Sequence, residues 1–250
     1  MFALLSLLAT VLFIAVGGLV GARLILLAWR TRLVPELLVG AALFVIAAVG
    51  YPPLVVVGLA DLSLELARIF VIAGTIALAI GWLLMLWFTQ RVFRPGRGHA
   101  WVLCWIASAA IGVLTGAEVL DQAHEVELAS LRDLGPAMLW LEVIAVATYG
   151  WTSFEGFREY GTARRRAALG LADALVADRF RLWGCIGLGS VVSLAPGIAL
   201  TLRDASVADS DGTRLVTGLA GLFCSVALQL AFMPPASYRR WIEGRAARAA

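Results

Sequence analysis

Residues 69–88 read IFVIAGTIALAIGWLLMLWF, twenty residues without a charged side chain. Wound into an α-helix, twenty residues rise about 30 Å, which is the thickness of the hydrocarbon core of a bilayer. Six further segments share this apolar character, and polar connections separate them. The sequence therefore predicts an all-α polytopic membrane protein, a bundle of seven transmembrane helices. The predicted spans are residues 2–22, 37–60, 69–88, 100–117, 134–154, 182–202 and 215–233.

The composition extends this prediction over the whole chain of 250 residues. Hydrophobic residues make up 61% of it and charged residues 15%, whereas soluble domains are about half apolar and about a quarter charged. Because nothing basic precedes the first apolar segment, we expect a retained helix and not a cleaved signal peptide. Gly17 and Gly21 are spaced for close packing between helices. We expect one membrane domain over residues 1–250 and no soluble domain.

The distribution of arginine predicts the orientation. Sixteen of the twenty arginines lie in the first, third and fifth connections and in the C-terminal segment, and the other connections hold only Arg68, Arg132, Arg203 and Arg214. Cytoplasmic loops carry the excess of basic residues, so the N-terminus is predicted outside and the C-terminus in the cytoplasm. The chain has many alanines and no lysine, which indicates a GC-rich bacterial genome. We therefore predict a bacterial inner (cytoplasmic) membrane protein.

Residue counts exclude several kinds of site. A chain without lysine cannot form a Schiff base with retinal or pyridoxal phosphate, and two histidines are too few for a three-histidine zinc site. Glu118, Asp121 and His124 recur at three-residue intervals, but in a predicted solvated loop they form a weak ligand set. The net charge is +3, and the distribution of the charged residues follows the predicted membrane topology and does not form a nucleic-acid-binding surface. The sequence predicts no cofactor, no metal site and no nucleic-acid partner.

Glu142 is the most informative single residue. It lies eight residues into the span 134–154, about 12 Å along a helix axis. Intramembrane acids are costly, face the bundle interior and often mark function. Ala145, Tyr149 and Ser153 share the same helix face. Two interpretations stay open: a structural hydrogen bond to a neighbouring helix, or a ligand, proton or ion site.

Prolines interrupt two of the predicted spans. Tyr51-Pro52-Pro53 lies in the second span and Pro196 in the sixth, and each is predicted to kink or locally unwind its helix. Freed carbonyls are tolerated in a membrane where they are buried or line a cavity. The hypothesis is a hinge and a pocket among helices 2, 5 and 6, and the alternative is an ordinary kink. The candidate ligand-binding residues are Glu142, Tyr149, Ser153, Trp140 and Tyr51.

The longest predicted cytoplasmic connection covers residues 155–181. Arg164, Arg165 and Arg166 precede the sequence AALGL, which predicts a short basic amphipathic helix lying on anionic headgroups. Arg179 and Arg181 follow it. The alternative interpretation is a docking surface for a cytoplasmic protein partner.

The stretch RRRAALGLADALVADRFRLW, residues 164–183, resembles the cytoplasmic connection that precedes helix 6 in bacterial seven-helix sensory proteins. This resemblance implies a sensory membrane module with a helical bundle fold. It does not extend to retinal binding. Helix 7 carries Phe223, Cys224 and Ser225 where microbial rhodopsins need a lysine, and helix 3 has no acid to act as a counter-ion.

The leading functional hypothesis is a membrane receptor or sensor. It binds a small lipophilic ligand and signals to a separate cytoplasmic partner, and Pro52, Pro53 and Pro196 permit two packings of the bundle. One alternative is a proton-coupled small-molecule transporter with Glu142 as the proton carrier. Another is a non-catalytic assembly subunit. An enzyme is the least favoured class, because no hydroxyl in the spans has a histidine nearby, although an acid-only mechanism through Glu142 stays open.

Overall fold

The computed structural model describes residues 2–127, 135–203 and 211–247. Within these ranges the backbone forms helices joined by short connections, without a strand, so the predicted all-α class is confirmed. Arg132 and the first residue of the fifth predicted span lie outside the described residues. The helices are α1 (Phe2–Thr31), α2 (Val34–Phe44), α3 (Tyr51–Leu59), α4 (Leu64–Phe93), α5 (Gly98–His124), α6 (Pro136–Ala168), α7 (Ala174–Thr201), α8 (Asp211–Phe232) and α9 (Ala236–Ala247).

Within the described residues, six stretches are long and apolar enough to cross a membrane, which supports an integral membrane protein. The helix α6 has 33 residues but is less apolar, since it carries Glu142, Glu155 and several arginines. Most helices extend beyond their predicted spans. Apolar composition identifies only the part of a helix that suits lipid, whereas helical hydrogen bonding continues to the caps. The six stretches are Leu4–Thr31, Val34–Leu59, Leu64–Phe93, Gly98–His124, Ala174–Thr201 and Gly212–Phe232.

The long helices form a closed ring. Around the ring, α1 packs on α2, α3 packs on α4, and α4 packs on α6. The helix α6 then packs on α7, α7 packs on α8, and α8 closes the ring by packing on α1. The helix α5 stands outside the ring against α4 and α6. A closed ring leaves an interior that every ring helix can reach with one face, and this interior holds the candidate site.

The second predicted span stays helical throughout but is locally unwound, which is one of the two outcomes that the prolines predict. A π-helical turn, Val45–Gly50, separates α2 from α3, and the N–H of Tyr51 donates to the carbonyl of Ile46. Pro52 and Pro53 lack an N–H, so regular α-helical bonding cannot continue through them. The helix α7 continues through Pro196 to Thr201 without local unwinding, so that part of the prediction is wrong, and the predicted kink stays a prediction. Only the proline's own N–H is missing there.

Glycines set the closest helix contacts. A Cβ on Gly21 would lie 2.6 Å from the backbone nitrogen of Phe44, and one on Gly187 would lie 2.7 Å from the carbonyl oxygen of Tyr149. At both places backbone meets backbone, so any side chain would separate the helices. The predicted packing role of Gly17 and Gly21 is confirmed, because a Cβ on Gly17 would meet Ala47 at 2.7 Å.

The long loop predicted over residues 155–181 is wrong. The helix α6 continues to Ala168, where the N–H of Leu171 donates to the carbonyl of Arg166 and Gly170 adopts a φ of +69°. This is a Schellman ending, which needs the left-handed conformation that glycine adopts without strain. Asp173 caps α7 by accepting from the N–H of Leu175 at 2.8 Å. The stop signal is therefore Gly170, and Arg164–166 belong to the end of α6 and not to a separate amphipathic helix.

Candidate functional site

A cavity of about 80 Å³ lies inside the ring, where six helices and the π-helical turn contribute side chains. Its lining comes from α1, the π-helical turn, α3, α4, α6, α7 and α8. The lining residues are Ala9, Thr10, Phe13, Ile46, Tyr51, Trp82, Tyr149, Ser190, Ser193, Leu194, Thr217, Gly221 and Cys224.

Aromatic rings form one part of this wall. The rings of Phe13 and Tyr51 meet edge to face with centroids 5.5 Å apart, which joins α1 to α3. Trp82 of α4 and Tyr149 of α6 are both buried and line the same cavity. Aromatic surfaces with a few polar groups are typical of pockets for small apolar ligands.

Hydroxyl groups form another part. Thr10 donates to the carbonyl of Ser6 at 2.9 Å, Ser190 to that of Ile186 at 3.0 Å, and Thr217 to that of Ser193 at 3.2 Å. Each hydroxyl proton is therefore used, and each oxygen keeps lone pairs that can accept. The cavity wall is thus able to accept hydrogen bonds from a ligand that donates them.

Glu142 lies beside α7 and close to this cavity, without lining it. Its carboxylate oxygen Oε2 is 3.7 Å from where a Cβ on Gly197 would lie, and it is within electrostatic range of Tyr51. This oxygen is buried and accepts no hydrogen bond from the described residues. The predicted structural hydrogen bond from a neighbouring helix is therefore not seen for Oε2.

The structure brings together only part of the predicted ligand set. Tyr51 and Tyr149 line the cavity, and Glu142 is adjacent. Ser153 is buried on the α6 face against α7, where its hydroxyl donates to the carbonyl of Gly184 at 2.8 Å. Trp140 is 59% exposed. Neither Ser153 nor Trp140 is among the lining residues.

Several lining residues were not predicted from the sequence. Thr10 and Thr217 are polar side chains in apolar spans, and this is the signal that could have found them. Phe13, Trp82 and Cys224 give no such signal, because aromatic and thiol side chains are common in any helix interior. Which of them face the cavity depends on how α1, α4 and α8 close the ring.

A second buried polar cluster was also missed. Glu155 is 1% exposed and pairs with Arg94, which directly follows α4, and at 3.1 Å with Arg158. The indole of Trp151 donates to the same carboxylate at 3.2 Å. One turn away, the hydroxyls of Thr89 and Thr152 are hydrogen-bonded at 2.7 Å. This cluster ties α4 to α6 below the cavity.

Glu118 is not the solvated loop residue that the sequence predicts. It is 3% exposed, and its carboxylate accepts from the side chain of Gln122 at 2.9 Å and from the N–H of Met138 at 2.9 Å. The second contact places a carboxyl oxygen at the N-terminus of α6, where it accepts from one of the N–H groups that have no partner within the helix. The residue therefore anchors α6 to α5.

The predicted basic contacts divide into two groups. Arg164, Arg165, Arg166 and Arg179 are exposed, and their contact with lipid or a partner stays a prediction. Arg181 is already engaged, since it pairs with Asp178 at 2.6 Å.

The C-terminal helix α9 packs on α7 through this same Asp178. The hydroxyl of Tyr238 donates to the Asp178 carboxylate, and Arg181 also contacts that hydroxyl. Partial burial, together with the neighbouring carboxylate, raises the pKa of Tyr238 to about 12. The phenol therefore stays protonated as a donor at any physiological pH.

Among the described residues, no group of three or more His, Cys, Asp or Glu side chains could hold a metal ion. Neither a protein-family model, nor a curated protein, nor a solved structure matches the chain.

Proposed function

We propose that this chain is a seven-helix membrane receptor that binds a small, largely apolar ligand in the cavity inside its ring. The observation that carries the proposal is the cavity itself, which combines four aromatic side chains with four serine or threonine side chains. A structural bundle has no need of such a lining, since apolar side chains would fill the same space at native density.

The seventh span in this proposal is α6. It is 33 residues long, lies between α4 and α7 in the ring, and buries Leu141, Ala145 and Tyr149 on one face. The polar side chains Thr148, Thr152 and Glu155 in its middle part are buried against protein, as acids in membrane helices usually are. The N-terminus is placed outside and the C-terminus in the cytoplasm of a bacterial inner membrane, on the arginine distribution.

The ligand class follows from the wall. The small volume and the aromatic side chains suit a compact lipophilic molecule. The spare lone pairs of Thr10, Ser190 and Thr217 suit one that carries at least one hydroxyl or N–H donor. Such a ligand enters from the lipid or from the outer side and is held by a few directional contacts.

In this proposal, signalling depends on the π-helical turn beside the cavity, where regular α-helical hydrogen bonding is interrupted. Tyr51 lines the cavity directly after the π-helical turn and directly before Pro52 and Pro53. A ligand that favours one arrangement of this turn shifts the population of bundle packings. The change reaches the exposed Arg164–166 at the cytoplasmic end of α6, where a separate partner binds.

Replacing Ser190 by leucine is expected to remove ligand binding. The larger side chain fills the cavity. The lost hydroxyl donates to the carbonyl of Ile186 on its own helix and also interacts with the Cys224 thiol of α8, so the loss of interhelical contact is limited to this one interaction. The measurement is native mass spectrometry, with an absorbance spectrum, of the protein purified in mild detergent. Wild type should carry a small molecule of defined mass that is at least tenfold depleted in Ser190→Leu.

The matched control is Leu188→Phe on the same helix, which is 51% exposed to the outside of the bundle. It should retain the molecule at the wild-type level. A wild-type protein that carries no small molecule, or an equal loss in both variants, would count against the receptor proposal. A second protein at fixed stoichiometry would instead favour the assembly-subunit alternative.

Glu142 favours a second candidate, a proton-coupled transporter. Its buried oxygen without a hydrogen-bond partner lies beside Pro196 and Gly197, where α7 lacks one backbone N–H. A carboxylate in this position can take up and release a proton as the surroundings change.

The transporter candidate predicts that Glu142→Gln abolishes proton movement. The chain is reconstituted in liposomes with a pH gradient and an internal pH-sensitive dye, and the rate of dye response is measured. Asp61→Asn, at an exposed outer position, serves as the matched control and should keep the wild-type rate. Equal rates in wild type and Glu142→Gln would exclude the carrier role.

A further inference from the structure

A second recess lies outside the ring, between α5 and α6, with α4 at its back. Its volume is about 740 Å³. One end is polar and includes Arg94, Arg97 and His99, whereas Leu103, Ala107, Val143, Ile144 and Ala147 line the rest. The recess therefore has the amphiphilic character of a lipid molecule, with a cationic end and an apolar channel.

The charge at the polar end is positive. The carboxylate that lines the recess, Glu155, is buried and already paired with Arg94 and Arg158. Arg97 and His99 are exposed, and Arg97 takes part in none of the ion pairs among the described residues. An anion placed here meets a net surplus of arginine.

The start of α5 adds to this charge. The helix begins at Gly98, its N-cap Arg97 makes no side-chain capping bond, and its first turn holds no acid. The first N–H groups of a helix have no intrahelical acceptor and form the positive end of its dipole. Free N–H groups and a guanidinium at one place are a combination that suits a phosphate.

The length of the recess matches one leaflet. Glu155 and Val143 lie twelve residues apart on α6, about 18 Å at 1.5 Å per residue. Half of a bilayer core is about 15 Å. The channel is also open sideways, since Leu103 is 60% and Phe154 61% exposed.

We propose that this recess binds one anionic glycerophospholipid from the leaflet at the cytoplasmic ends of α4 and α6. The phosphate contacts Arg94, Arg97 and the N-terminus of α5, and one acyl chain lies along Leu103, Ala107 and Val143. The site is separate from the cavity inside the ring and does not rest on the receptor proposal. A zwitterionic lipid fits the channel equally well but lacks the net charge that the arginines select.

The test measures binding of two lipids to the purified full chain in detergent by native mass spectrometry. The probes are palmitoyl-oleoyl phosphatidylglycerol and palmitoyl-oleoyl phosphatidylcholine. Wild type should bind the anionic lipid at least tenfold more tightly than the zwitterionic one. The double variant Arg97→Gln/His99→Gln should lose this preference, and Arg91→Gln, an exposed control on α4 outside the recess, should keep it. Arg94 is left unchanged because it holds Glu155.

A second variant tests the channel. Ala147→Phe fills the apolar part from an exposed position and should weaken both lipids at least fivefold without removing a charge.

Three results would overturn the proposal: equal affinity of wild type for both lipids, a preserved preference in the double variant, or unchanged binding in Ala147→Phe.

Discussion

Replacing Glu155 by methionine is expected to lower the free energy of unfolding by about 3 kcal/mol, the lower end of what breaking a buried ion pair costs. The carboxylate is 1% exposed and pairs with Arg94 and Arg158, so its loss leaves Arg94 in a partly buried position without its counter-charge. The lower end applies because Arg94 keeps 18% of its side chain exposed to solvent. The measurement is unfolding in mixed sodium dodecyl sulfate and dodecyl maltoside micelles, followed by circular dichroism.

A double-mutant cycle isolates the pair. Arg94→Met is expected to be destabilising too, and Arg94→Met/Glu155→Met should cost less than the two single changes added together. In the double variant no buried charge is left without a partner, since Arg158 is 42% exposed and keeps its pair with Glu159. Glu159→Gln provides the control, since Glu159 pairs with the same Arg158 at 3.4 Å but at an exposed position. That change should cost no more than about 1 kcal/mol. A Glu155→Met protein as stable as Glu159→Gln would contradict the burial of this cluster.

Replacing Gly187 by alanine is expected to destabilise the bundle by about 2 kcal/mol, within the range for overpacked interiors. The added Cβ would lie 2.7 Å from the carbonyl oxygen of Tyr149 and 2.9 Å from the nitrogen of Ser153. These are backbone atoms, which cannot rotate away, so α6 and α7 must separate. The separation also shifts Tyr149 in the cavity wall. We therefore expect the Gly187→Ala protein to retain less of the small molecule that Ser190→Leu is expected to deplete.

Gly150→Ala is the matched control, because nothing lies within 4 Å of a Cβ added there. Alanine is a better helix former than glycine by about 1 kcal/mol, so this variant should be neutral or more stable. The same micelle unfolding assay compares the two. Equal changes in both variants would mean that the contact between α6 and α7 is looser than the structure describes.

The local features were predictable where one residue type has one physical consequence. Pro52 and Pro53 lack the N–H that a regular α-helix needs, and the second span contains a π-helical turn shortly before them. Gly17 and Gly21 leave room for another backbone, and α2 fills that room. Pro196 shows the boundary of such reasoning, since one missing N–H did not end α7.

The prediction for the fifth connection, residues 155–181, was wrong for a different reason. Charged residues after Phe154 suggested a loop, because an exposed arginine on a helix and one in a loop have the same polarity. Gly170 was the informative residue, since it alone supplies the left-handed ending of α6. Once α6 is extended, Glu155 lies in its interior and faces Arg94.

The sequence by itself determined that the chain is helical and suited to a membrane, because a run of twenty apolar residues can satisfy its backbone in lipid only as a helix. It also identified Tyr51, Tyr149 and Glu142 as polar groups worth examining. The tertiary structure alone decided that Tyr51 and Tyr149 share one cavity with Trp82 and Thr217, and that Glu155 binds Arg94 from 61 residues away. Such pairings depend on the order and rotation of helices in the ring. Periodicity within one helix carries no information about either.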